Sequence, residues 1–165
     1  MSVEGELQGG RYRVGRTLGG QPHVRLGVHV DSGAEVVLKR ATFPESQEQL
    51  LREGRLLQRL SHPRLRGLVD IFLDGASPVL VLEYRRGPDV LAWCRGGELV
   101  PRACEAIRSL LPLLSYLHGR GIVHRDLKAQ HLLVEMGEGQ PQLVLLDLGL
   151  AGEEPLGVAG TRGYM

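Results

Sequence analysis

Lysine is nearly missing from this chain: of its 20 basic residues, Lys39 and Lys128 are the only lysines and 18 are arginine. Such a bias fits a GC-rich genome better than a binding surface. Basic and acidic residues nearly cancel, 20 against 19, so the net charge of +1 gives no reason to expect a nucleic-acid partner. Cysteine is scarce too. Cys94 and Cys104 lack a metal-ligand spacing, and the expectation is two free thiols without a role. No apolar run approaches the roughly 20 residues that span a bilayer, and Met1 to Arg13 lacks the basic-then-apolar pattern of a signal peptide. A cytoplasmic protein without membrane contact is therefore expected. What remains, 165 residues at 42% hydrophobic, suffices for a compact domain with a real core.

From Tyr12 to Lys39, short apolar runs alternate with glycine-rich breaks, which predicts antiparallel strands joined by hairpins, with Asp31-Ser32-Gly33 as one turn. Between Ser46 and Leu60, the residues Leu50, Leu51, Leu56, Leu57 and Leu60 fall at helical spacing, and Ser61-His62-Pro63 ends the pattern. Two further strands are expected at Leu68 to Phe72 and Val79 to Leu82. After Gly87-Pro88 the pattern changes. A short segment, Asp89 to Arg95, leads into a long helix from Pro101 to His118 with Ile107, Leu110, Leu111, Leu114 and Leu117 as its buried stripe. Pro101 suits a first helical turn, whereas Pro112 removes an interior donor and should kink the helix. Two short strands, Leu132 to Val134 and Leu143 to Leu146, close the readable pattern around a turn at Met136 to Gly139.

The residues suited to chemistry occur in a fixed order. Val37-Leu38-Lys39 lies on a strand, and Glu53 lies on the following helix. His124-Arg125-Asp126-Leu127-Lys128 runs on through Ala129-Gln130-His131-Leu132-Leu133-Val134. Asp147-Leu148-Gly149 and Gly160-Thr161-Arg162-Gly163-Tyr164-Met165 come last. Phosphoryl transfer needs positive charge on the nucleotide phosphates, metal ions held by oxygen ligands, and a carboxylate that orients the attacking hydroxyl. Each need has a candidate here. In this order and spacing the chain resembles the protein kinase family from about Tyr12 to Met165, of serine/threonine and bacterial-like type, ending before the Ala-Pro-Glu motif.

The resemblance implies an α+β protein kinase-like fold. An N-terminal antiparallel sheet lobe with one helix, and the hinge, would occupy residues 1–86, and the first part of a helical C-terminal lobe would occupy residues 87–165. It implies ATP and Mg²⁺ as cofactors. Lys39 would contact the α- and β-phosphates and pair with Glu53, Asp126 would orient the substrate hydroxyl, Lys128 would steady the γ-phosphate, and Asp147 would hold the metal. The adenine would lie between Leu18 and Val24 above and Leu133 below, with Val37 beside it, Leu82 as gatekeeper, and backbone groups of Glu83 and Arg85 as hinge partners. Leu57, His124 and Leu148 would belong to an apolar column, making His124 structural. Thr161 would hydrogen-bond the catalytic aspartate and lysine.

Three departures bear on activity. Leu18-Gly19-Gly20-Gln21-Pro22-His23-Val24 is two residues shorter than the family's phosphate-binding loop and lacks its later glycines, placing Gln21-Pro22-His23 at the tip with a weaker clamp on the phosphates. His131 stands where the family has an asparagine ligand to a second metal. Imidazole suits softer ions than Mg²⁺, which predicts relatively better use of Mn²⁺, the alternative being a histidine that only braces the loop. The early end would leave the long helix's stripe without partners. No Ser, Thr or Tyr lies between Asp147 and Gly160, so phosphorylation there is no switch for Arg125, to which Glu153 or Glu154 could offer a standing negative charge.

The expected function is therefore transfer of the γ-phosphate of ATP to a protein hydroxyl, with a protein substrate or regulatory protein as partner. The competing readings are a pseudokinase that regulates or binds another protein, and an inactive kinase fragment. An aminoglycoside-type phosphotransferase fits the motifs less well.

Overall fold

The computed structural model describes residues 7–137 and 139–153. The expected features at Glu154, Thr161 and the Gly160 to Met165 motif lie outside them. The described chain forms two compact units, one running up to Leu60 and resuming with Gly67–Tyr84, the other made of Ser61–Arg66 and the residues from Arg85 onward. The expected division between residues 86 and 87 thus falls two residues late and misses an excursion. Ser61–Arg66 joins the second unit because its backbone is bonded there: Arg66 N–H donates to the Leu145 carbonyl at 2.9 Å, Leu145 N–H to the Arg64 carbonyl at 2.9 Å, and Ser61 N–H to the Tyr116 hydroxyl at 2.8 Å.

The first unit is a six-stranded antiparallel sheet with one helix. Its strands are β1 (Leu7–Gln8), β2 (Tyr12–Leu18), β3 (Gln21–His29), β4 (Glu35–Arg40), β5 (Leu68–Asp74) and β6 (Ser77–Glu83), ordered β1-β2-β3-β4-β6-β5. Period-2 alternation gives the sheet two distinct faces. Tyr12, Val14, Val36, Leu38, Val79 and Val81 form a buried cluster on one, with Phe72 packed against it. The register sets Val24 opposite Lys39 and Val37 opposite both Leu26 and Leu82, so Val24, Val37, Lys39 and Leu82 share the other face.

The helix α1 (Pro44–Arg59) starts two residues before the expected Ser46, because Pro44 fits a first turn and Ser46 caps from inside it. The Ser46 hydroxyl accepts the N–H groups of Thr42 and Phe43 at 2.9 and 3.1 Å. Its apolar stripe buries Leu50, Leu56 and Leu57. Gly54 lets the helix approach the sheet closely, since a Cβ there would sit 2.9 Å from Ile71 Cδ1 and from Leu80 Cδ2. A Gly54→Leu substitution is expected to overpack this contact and lower stability by about 1–3 kcal/mol, measured by urea unfolding against the parent chain.

The second unit holds α2 (Val90–Arg95), α3 (Leu99–His118), a 3-10 turn at Ala129–His131, and the hairpin of β7 (Leu132–Gly137) and β8 (Gln140–Leu145). Asp89 caps α2 by accepting the Ala92 N–H at 2.8 Å. The helix α3 begins at Leu99, two residues earlier than expected, and runs through Pro112. Its buried face is Ala106, Leu110, Leu113 and Leu117. That corrects the expected stripe: Ile107 and Leu111 are 63% and 51% exposed. Positions 106, 110, 113 and 117 make one clean seam at steps of four and three, and the abundance of leucine hid which of several offset stripes faces β8. Cys94 is buried and Cys104 exposed, and both are free. No helix among the described residues is long and apolar enough to cross a membrane.

Candidate active site

In the first unit the site is a strand lysine held by a helix carboxylate. Because Lys39 lies on the sheet face that α1 covers, Lys39 Nζ reaches Glu53 Oε2 at 2.7 Å, with side-chain exposures of 16% and 2%. An ion pair this dry fixes the lysine's position firmly. Val37 and Leu82 are fully buried beside it, and Val24 is half-buried.

The hairpin between β2 and β3 differs from expectation. Gly19 and Gly20, at φ 57° and 69°, form a two-residue turn that pairs Leu18 with Gln21. The tip is therefore Gly19-Gly20, and Gln21, Pro22 and His23 begin β3 rather than capping the loop. Two adjacent residues able to adopt positive φ close the hairpin tightly, and register shifts between Val14 and Leu18 absorb the mismatch. Arg25 fills the irregularity, its guanidinium donating to the Gly15 carbonyl at 3.0 and 2.7 Å. Glu83 and Arg85 also make contacts the sequence did not suggest. Glu83 gives its N–H to the Gly67 carbonyl at 3.0 Å, and its carboxylate accepts the Gly67 N–H at 3.1 Å. The Arg85 guanidinium forks onto Glu135 at 2.9 and 2.7 Å and donates to the Pro63 carbonyl at 3.0 Å. Glu135 is 50 residues away from Arg85, a separation at which no local pattern announces a pair.

In the second unit the loop after α3 is held by its own backbone. Val123 and Gly152 exchange two hydrogen bonds of 3.1 Å. Arg125 between them adopts φ 67°, a conformation costing a non-glycine residue about 1 kcal/mol, and its guanidinium donates to the Gly152 carbonyl at 3.3 Å. The turn places Asp126 beside Lys128, with Lys128 Nζ 3.0 Å from Asp126 Oδ2. His124 is buried, and its tautomer follows from its neighbours: Nδ1 accepts the Asp126 N–H at 3.2 Å, so Nε2 carries the proton and donates to the Asp147 carbonyl at 2.7 Å. Leu148 beside Asp147 is buried, as is Leu57 within the first unit. Leu133 is half-buried on β7, opposite Val144 and bridged to Asp89.

Asp147 and His131 come together. Asp147 Oδ1 accepts the Gly149 N–H at 2.7 Å, and Oδ2 lies 3.7 Å from His131 Nε2. The buried Nδ1 of His131 has no hydrogen-bond partner. No group of three or more His, Cys, Asp or Glu side chains among the described residues could hold a metal ion by itself. One carboxylate and one imidazole nitrogen nonetheless fit a cation that keeps waters and takes its remaining ligands from a bound phosphate chain.

Burial holds the imidazoles of both His124 and His131 below the usual histidine value of 6.5, against the raising influence of nearby Asp147. The unfolded chain, titrating normally, then binds protons the folded chain refuses. Stability is present above about pH 6.5 and falls as the pH drops below it, by up to about 1.4 kcal/mol per pH unit for each histidine. Melting midpoints between pH 7.5 and 5.5 should decline accordingly, and a His124→Asn variant should show a shallower slope.

A strand lysine braced by a helix glutamate, followed by a loop aspartate with its own lysine, is the equipment of nucleotide-dependent phosphotransferases. Comparison with known proteins narrows this class: residues 12–165 match the protein kinase domain, and the chain belongs to that family. Its relatives include the calcium/calmodulin-dependent protein kinase cmkB of Emericella nidulans, 35% identical over 97% of this chain and 44% of that protein. CBL-interacting protein kinase 16 of Oryza sativa subsp. japonica is 34% identical over 90% of this chain and 34% of its own length. Serine/threonine-protein kinase pkn2 of Myxococcus xanthus is 33% identical over 86% of this chain and 18% of its own length. The chain thus spans less than half of each of these relatives.

Proposed function

We propose that this chain binds ATP with a divalent metal and transfers the γ-phosphate to a serine or threonine hydroxyl of a protein substrate in the cytoplasm. The observation that carries this reading is the Lys39–Glu53 ion pair at 2.7 Å, which presents a fixed cation suited to the α- and β-phosphates. Asp126 orients the substrate hydroxyl and accepts its proton, and Lys128, 3.0 Å from it, balances the charge gathering on the transferring group. Asp147 holds the metal, with His131 as its neighbour at 3.7 Å. When bound, the ion neutralises phosphate charge. Because imidazole is a poor ligand for Mg²⁺ and a good one for transition metals, ATP binding is stronger with Mn²⁺ than with Mg²⁺, and a His131→Asn variant reverses that order.

The second reading, a kinase-like module that regulates or binds another protein without turnover, is favoured by the Gly19-Gly20 hairpin. A two-residue turn offers fewer backbone amides to phosphates than a longer glycine-rich loop does.

The test is the melting midpoint of the purified chain titrated with ATP, in parallel with Mg²⁺ and Mn²⁺. Saturation at about a hundred times the dissociation constant stabilises by about 2.7 kcal/mol, and the midpoint rises by roughly 5–10 °C. Loss of that rise in Asp147→Asn establishes the nucleotide site and leads to phosphorylation assays. A clean melt that nucleotide does not move sinks the ATP-dependent reading and leaves the binding module.

A further inference from the structure

A cavity of about 400 Å³ lies in the second unit, lined by none of the residues assigned above. It sits around Ser109, where three segments converge. The Ser109 hydroxyl donates to the Ala106 carbonyl at 2.9 Å and accepts the Leu143 N–H at 3.0 Å, while the Arg64 guanidinium donates to the Ser109 carbonyl. Arg64, Glu105, Arg108, Gln140 and Gln142 supply the polar groups of the wall, and Pro112 completes it on the α3 side.

We propose that this cavity binds a free α-amino acid as its zwitterion, with the carboxylate on Arg64 and Arg108 and the ammonium against Glu105. The side chains of Glu105, Arg108, Gln140 and Gln142 form no hydrogen bond or ion pair among the described residues. Glu105 and Arg108, three apart on α3, are placed to pair and do not. Arg64 is the anchored member: half-buried, it has one side-chain bond to Ser109, which leaves most of its five donors for a planar carboxylate.

The charge pattern selects the ligand. Two guanidinium groups and one carboxylate answer a carboxylate and an ammonium together, whereas a bare anion meets the repulsion of Glu105 and a bare amine that of the arginines. The polar wall excludes an apolar ligand, and 400 Å³ lies at the small-molecule end of binding cavities. Gln140 and Gln142 carry amides, each both donor and acceptor, which suit a side-chain amide and make L-glutamine the probe.

Isothermal titration of the 165-residue chain with L-glutamine, in the absence of nucleotide, tests this directly. Saturable binding is expected, weakened at least about tenfold in Arg108→Gln and in Glu105→Gln, since each removes a charged hydrogen bond. Both substitutions are on α3 outside its buried seam, and circular dichroism should match the parent. Acetate and methylammonium, each with half of the zwitterion, should bind at least about tenfold more weakly. No saturable binding of L-glutamine, binding unchanged in both variants, or acetate binding as tightly overturns the proposal, and none of these outcomes depends on the kinase reading.

Discussion

An Asp126→Asn variant should lose at least about 10²-fold in phosphoryl transfer while keeping its nucleotide-dependent thermal shift. The variant separates binding from chemistry. In the proposed reaction Asp126 supplies the carboxylate that accepts the hydroxyl proton, and asparagine keeps its shape but not its basicity. The residues proposed above to meet the nucleotide keep their identities. The backbone N–H of Asp126, which fixes the His124 tautomer at 3.2 Å, is also untouched, so that bond is kept. The measurement is single-turnover phosphate transfer to a serine- or threonine-bearing protein, beside an ATP melting titration. If transfer persists at the parent rate, another group is the base and the role of Asp126 is wrong. If both rate and thermal shift vanish, the residue supports the fold rather than the reaction.

How far such roles could be read in advance depended on the range of the signal. Local signals were legible. The alternation in Tyr12 to Lys39 gave strands, leucine spacing gave α1, and the order of Lys39, Glu53, Asp126 and Asp147 gave the family. Elements whose boundaries depend on turn chemistry were read less well, as at Gly19-Gly20, where the adjacent glycines pulled Gln21 into β3. Pairings distant in sequence were not legible at all. Nothing near Arg85 announces Glu135, and nothing in Ser61–Arg66 says that its carbonyls and amides bond to Leu145 rather than to the sheet before it. The face of α3 is ambiguous in the sequence for a related reason. In a helix with leucine at 110, 111, 113, 114 and 117, several offset stripes satisfy helical periodicity, and only the partner strand decides among them. Gly54 does carry a local signal: a glycine inside an otherwise strong helix pattern commonly has a packing reason.

Because that packing holds the ion pair, removing its cation should cost substantial stability. A Lys39→Met variant is expected to lose about 3 kcal/mol, since Glu53, with only 2% of its side chain exposed, would keep a charge whose main counter-ion has gone. Methionine retains the apolar stem that lines the sheet face, so the loss reports charge rather than volume. One consequence distinguishes this from ordinary core damage. The double variant Lys39→Met with Glu53→Gln should recover much of the loss, as a neutral amide is far cheaper to bury than an unpaired carboxylate. Urea unfolding of the four proteins gives this cycle directly. Equal losses in the single and double variants would mean that the lysine acts through packing alone, and that the 2.7 Å contact does not govern how α1 is held to the sheet.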